Sequence, residues 1–230
     1  MRKISQLLIV LALIIALGSC SPGTTSMDWW HSTRVTDPKQ YAKADSSGYP
    51  FRAKCEYILK ELDLKPGDVV VDIGAGDGWW SERMAKFVGD KGIIYAAEIA
   101  MKKVNHMKKK FADVPQIEPY LCETDSTNLA ENSCDLAFFS MVYHHLKPDG
   151  RVDYLRHLHR IVKPTGRVCV IDRYAAIMPR HKSHAVSLSQ LAKQAEEAGW
   201  IPVRYEMMAG TYHYMVIFVQ EDLFPPKPTS

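Results

Sequence analysis

Charge of one sign is what this chain most lacks. Its 230 residues hold 29 lysines and arginines against 26 aspartates and glutamates, a formal net charge of +3. A protein that grips nucleic acid by bulk electrostatics carries a much larger basic excess, so no nucleic-acid partner is expected. The basic run Lys102, Lys103, Lys108, Lys109 and Lys110 has the spacing of a solvated helix face. Cysteine is also sparse, at five. The cysteines form no Cys-x-x-Cys pair and no zinc spacing, so no metal is expected. Cys134 and Cys169 fall in or beside apolar stretches and read as small core residues. No internal repeat is visible, and the length suits one well-buried domain.

Long apolar runs are confined to the first twenty residues. Met1-Arg2-Lys3 is a short positive start, followed by an unbroken apolar run from Leu7 to Leu17. The run is too short to span a bilayer stably and has the length of a signal-peptide core. It ends in Leu17-Gly18-Ser19-Cys20, which resembles the bacterial lipobox. That resemblance implies removal of residues 1–19, diacylation of the Cys20 sulfur and acylation of its new amino terminus. Two or more chains anchor stably where one is marginal. The mature protein is then expected in the cell envelope, with Ser21 fitting the periplasmic face of the outer membrane. A start at Met27 would instead leave it cytoplasmic. Residues 20–50 are rich in Ser, Thr, Gly, Pro and Asp and read as a tether and arm. The arm carries Trp29, Trp30, His31, Tyr41 and Tyr49, enough aromatic surface to pack on a domain.

Helix and strand alternate through residues 51–222. The spacing predicts helices over 51–64, 81–88, 100–112, 151–162 and 188–198. Strands are predicted over 69–73, 92–97, 117–122, 135–140, 167–172, 202–207 and 213–220. Lys163-Pro164-Thr165-Gly166 reads as the turn closing the fourth helix, and Ser187 with Gln190 as a cap on the fifth. The proline-rich tail 223–230 suits no regular structure. This alternation predicts an α/β fold: a seven-stranded, mostly parallel Rossmann-like sheet with one antiparallel edge strand and helices on both faces.

The most informative segment is Asp72-Ile73-Gly74-Ala75-Gly76-Asp77-Gly78-Trp79-Trp80. A buried strand enters a glycine-rich turn and then a helix, the place where open α/β sheets bind ligands. A nicotinamide dinucleotide site wants a small residue where Trp79 stands. The pattern D-x-G-x-G-x-G instead resembles motif I of class I S-adenosylmethionine-dependent methyltransferases. The likeness runs over about residues 51–220 and is closest to the small-molecule branch that includes the ubiquinone/menaquinone and arsenite enzymes. It implies that Asp72, Gly74, Ala75, Gly76 and Gly78 surround the methionine half of the methyl donor. It further implies that Glu98, ending the second strand, accepts from the ribose hydroxyls, and that Asp125 meets the adenine amino group. Ser140 lies where the acceptor-side residues begin. Val162-Lys163-Pro164-Thr165-Gly166 stands where the family usually has L-x-P-G-G. Each residue alone has a plainer reading: Asp72 as a bond to its own turn, Glu98 as a solvated strand end, Asp125 as a cap.

Methyl transfer from a sulfonium needs alignment, and a base only when the acceptor must lose a proton. The candidates are His144 and His145 after the fourth strand, with Tyr143 beside them, and His181 and His184 after the fifth. Either of the adjacent histidines, and Tyr143, has an equally ordinary packing role. Trp30 and Tyr49 are placed to cover the donor and acceptor. Arsenite methylation needs converging cysteines, and only Cys55 and Cys122 are placed to contribute. The expected function is methyl transfer to a small-molecule acceptor. Because the donor is made in the cytoplasm and the leader implies export, the alternative is a lipid-anchored, non-catalytic nucleoside-binding protein on the same scaffold.

Overall fold

The computed structural model describes residues 50–174, 185–208 and 211–225. The leader, Cys20, the aromatic arm, His181, His184 and the end of the tail lie outside these residues. Among the described residues no helix is long and apolar enough to cross a membrane.

Seven strands form one sheet: β1 (Val69–Ile73), β2 (Ile93–Glu98), β3 (Ile117–Leu121), β4 (Cys134–Ser140), β5 (Val162–Arg173), β6 (Trp200–Met208) and β7 (His213–Gln220). Their order is β3-β2-β1-β4-β5-β7-β6. Neighbours from β3 to β5 are parallel, and β7 runs antiparallel to both β5 and β6. The reversed strand of the expected edge is therefore β7, seated between β5 and β6. Among the described residues five α-helices flank the sheet: α1 (Cys55–Glu61), α2 (Trp79–Val88), α3 (Met101–Lys110), α4 (Arg151–Ile161) and α5 (Leu188–Glu197).

Alternation along each strand builds two cores. Val70, Ile94, Leu136 and Phe138 face Ile58 of α1, Leu62 that caps it, Met84 of α2 and Met107 of α3. Val71, Ala97, Phe139 and Val170 face Leu155, Leu158 and Leu191 from α4 and α5. Apolar residues on both faces explain the unbroken runs in β1 and β4. Pro119 is tolerated because β3 is an edge strand, where a missing N–H leaves no ladder bond unmade.

Two expected elements differ. The first helix opens as a 3-10 turn, Pro50–Lys54, and becomes α-helical only at Cys55. Lys163–Gly166 is not a closing turn. It lies inside β5, where the register against β4 jumps from Cys134–Val162 to Leu136–Arg167. The extra residues bulge there, so strand pairing begins right at the helix end. Strand order reverses between β1 and β4, and the crevice beyond their carboxyl ends is the ligand position of such sheets.

Candidate functional site

A cleft of about 1350 Å³ opens at that switch point. That is ample for a drug-sized ligand. Asp72, Gly74, Ala75, Gly76, Glu98, Asp125, Ser140 and His145 all line it. Gly78, Tyr143 and His144 do not.

The glycine turn is built by β1 and α2. Gly74, Gly76 and Gly78 hold φ of +67°, +65° and +75°, a region that L side chains enter at a cost. Their duties differ. A Cβ on Gly74 would sit 2.6 Å from Val142, and one on Gly78 would collide with the edge of the Phe111 ring. A Cβ on Gly76 would meet nothing closer than 3.9 Å. Of the three, only Gly76 has open space where a side chain would stand. Gly78 is buried and caps the start of α2 against α3, which corrects its expected place at the ligand.

Asp72 sits at the base of the turn, 2% exposed, and accepts a 2.6 Å hydrogen bond from the Ser81 hydroxyl. Burial pushes its carboxyl up to about 6, against the pull of Ser81. The bond ties β1 to α2 across the glycine turn. Glu98 is 4% exposed, and its two oxygens accept from different backbone groups: Oε2 from Gly76 N–H and Oε1 from Ala100 N–H, each at 3.0 Å. Lys103 Nζ stands 3.5 Å from Oε2. Each carboxylate oxygen has a second acceptor position, and Glu98 lines the cleft. It is a fixed acceptor rather than a solvated strand end. Ile99, next in the chain, leaves 58% of its surface exposed at the cleft wall.

Across the cleft, Asp125 is exposed on the loop after β3. His157 of α4 pins that loop, its Nε2 accepting from Thr127 N–H at 3.0 Å. Burial, helped by Arg160, lowers the His157 pKa, which suits an acceptor nitrogen. Ser140 accepts from the Trp80 indole at 2.8 Å. Trp79 carries Arg83 and Arg52 over its ring, at 3.5 and 4.3 Å. Trp79 and Arg52 border the cleft mouth.

The histidine pair divides sharply. The His144 Nδ1 lies 2.7 Å from Asp172 Oδ1, and its backbone N–H donates to Oδ2 at 2.9 Å. Asp172 is fully buried and also accepts from Arg173 N–H. His144 is a clamped structural residue, 6% exposed, and is corrected as a candidate base. His145 is exposed to the cleft, its ring 4.0 Å from that of His144. Tyr143 points the other way. It is fully buried, donates to Gln194 of α5 at 2.9 Å, and burial raises its phenol pKa steeply. The tyrosine is a packing residue on the α5 side, which takes it out of the cleft as well.

Sequence reasoning missed Asp172, His157 and Ile99. Asp172 was detectable, since an acid ending a buried strand repeats the pattern of Asp72 and Glu98. His157 was not, because its partner lies 30 residues away. Cys55 is half-buried, and Cys122, Cys134 and Cys169 are buried; all four are free. Among the described residues no His, Cys, Asp and Glu group could hold a metal.

Residues 70–166 match the family described as a methyltransferase domain. A ribosomal RNA large subunit methyltransferase E from Chromohalobacter salexigens is 32% identical over 110 residues, covering 44% of this chain and 51% of that protein. The chain thus spans about half the length of the curated relatives it matches. A crystal structure of a SAM-dependent methyltransferase from Aquifex aeolicus superposes with a TM-score of 0.66 at 27% identity, covering 80% of this chain and 98% of that one. Another, from Mesorhizobium loti, shares the fold with a TM-score of 0.60 at 14% identity, over 70% of this chain and 95% of the other. The matched segment, residues 70–166, carries the glycine turn, Glu98 and most of the cleft lining, and it sits in the Rossmann-like sheet shared with those methyltransferase structures.

Proposed function

We propose that this protein is an S-adenosylmethionine-dependent methyltransferase acting on a small-molecule acceptor. The observation that carries the reading is Glu98: a buried carboxylate, gripped by Gly76 N–H and Ala100 N–H, facing a cleft beside the open Gly76 position. A rigid acceptor with spare lone pairs suits a vicinal diol such as a ribose. Open space at Gly76 admits the donor's chain where any side chain would intrude. Ile99 offers an apolar wall for the base, with Asp125 across from it. The residues present fit the donor.

S-adenosylmethionine supplies a methyl group already activated on sulfur. The protein's share is alignment and exclusion of water. Met141, Trp80 and Phe51 give the cleft its apolar side. His145 is the cleft-facing group able to take a proton when the acceptor is protic. The relatives named for ribosomal RNA match over about half their length. The near-neutral charge and the carboxylates of the cleft, Glu98, Glu123, Asp125, Asp149 and Asp153 among them, favour a small acceptor over RNA. The resemblance of the segment ending at Cys20 to a lipobox supports an envelope membrane as the place of this activity.

Purified protein, given the donor labelled in its methyl group and a small-molecule extract of the envelope, should transfer label. Transfer that fails while donor binding stays firm favours the non-catalytic binder. Failure of both rejects the scaffold's use for this ligand altogether.

A further inference from the structure

Among the described residues β6 is the outermost strand at its end of the sheet, and it is nine residues long. Edge strands present unpaired backbone groups, and proteins normally blunt them. Pro202 and a register shift against β7 between Pro202 and Arg204 blunt the first part of this one, and the rest carries Val203, Tyr205 and Met207 on one face, 51%, 48% and 44% exposed. The opposite face carries Arg204 and Glu206. These two are held by α1: Arg204 pairs with Glu61 and donates to the Tyr57 hydroxyl at 3.0 Å, and Tyr57 donates to Glu206.

The order Val203-Arg204-Tyr205-Glu206-Met207 is self-complementary about its centre. In an antiparallel pair related by a two-fold axis, residues equidistant from the axis stand opposite each other. With the axis at Tyr205, Val203 meets Met207, Arg204 meets Glu206, and Tyr205 meets itself. Opposite charges and apolar pairs directly across strands stabilise a sheet, while like charges destabilise it. An axis at Arg204 sets arginine against arginine, and one at Glu206 sets glutamate against glutamate. Only even shifts keep each side chain on its own face, so the alternatives are few and Tyr205 is the register the charges select.

We infer that β6 pairs with β6 of a second copy of this chain, antiparallel and centred on Tyr205, joining the two sheets into one. The occupant is a second copy because the charge order matches itself. The pairing extends the Glu61–Arg204–Tyr57–Glu206 network across the axis. β6 runs in the same direction as β1 to β5, so the two clefts open at opposite ends of the joined sheet and each is complete by itself.

Cysteine cross-linking in the full chain, in membranes, tests the register. Directly opposite residues in an antiparallel pair are within disulfide reach. Tyr205→Cys should give a covalent dimer on mild oxidation. Val203→Cys and Met207→Cys alone should give about tenfold less, and the two co-expressed should recover the dimer as a mixed product. The wild-type chain supplies the background of its own cysteines. All three positions are exposed, and a circular dichroism spectrum confirms that the variants fold. No band at 205 overturns the proposal, whether the edge is bare or covered by another segment or partner. Equal bands at all three single positions overturn it too, since that is the pattern of random collision. Arg204→Cys and Glu206→Cys complete the scan, and a maximum at either overturns the register.

Discussion

Gly67 and Gly78 both hold a positive φ, +94° and +75°, but only Gly78 is crowded. Gly67→Ala meets no atom within 4 Å and should cost about 1 kcal/mol, the backbone penalty alone. Gly78→Ala adds a collision with Phe111 and should cost about 2–4 kcal/mol. Denaturant unfolding of the two variants checks the difference, and equal losses would contradict the packing role given to Gly78. At the other wall, His144 and His145 are neighbours with different work. His145→Ala should leave unfolding nearly unchanged and slow transfer to a protic acceptor by about 10²- to 10⁴-fold. His144→Ala should lower the unfolding midpoint, because it leaves buried Asp172 without the ring that faces it.

At the scale of elements, α5 is fixed by a cap that spans three residues. Ser187 Oγ accepts from Gln190 N–H at 3.1 Å, so Ser187→Ala should cost about 1 kcal/mol. Donor affinity should not change, since α5 lies away from the cleft. Caps of this kind, and the strands β1 to β4, were legible in the sequence because their causes are local. A strand buried on both faces must be continuously apolar, and a glycine turn must follow it where a ligand approaches. β5 was read too short because its bulge at Lys163–Gly166 depends on β4, a distant stretch of chain. The site divides the same way. The resemblance of the glycine turn and its flanking strands to a family motif singled out Glu98 and Gly76, and both line the cleft. Tyr143 and Gly78 were misplaced because a turn of the backbone decides which of several adjacent residues faces the cleft. The sequence does not reveal that Asp172 takes hold of His144 rather than His145.

For the whole molecule, two buried groups tie stability to pH with opposite signs. Burial pushes His213 down to about 4 from an ordinary 6.5, and its Nδ1 has no hydrogen-bond partner among the described residues. Between those values the unfolded chain binds the extra proton, so this term strengthens the fold as pH rises. Asp72 is raised to about 6 from 3.8, so the folded chain holds the extra proton and the term weakens the fold as pH rises through 6. Over pH 4 to 6 the two terms should largely cancel. His213→Gln should make stability fall with rising pH across that window, and Asp72→Asn should make it rise, each by about 1–3 kcal/mol. Unfolding curves at pH 4, 5 and 6 measure both slopes, and slopes of the same sign would contradict the burial assigned to one of the pair.

The central claim concerns the cleft, and calorimetric titration with S-adenosylmethionine and S-adenosylhomocysteine addresses it most directly. The purified protein should bind both. Gly76→Arg, which fills the open position and strains a φ of +65°, should bind neither while remaining folded. Absence of binding by the folded wild-type protein, or undiminished binding by the variant, would contradict the account.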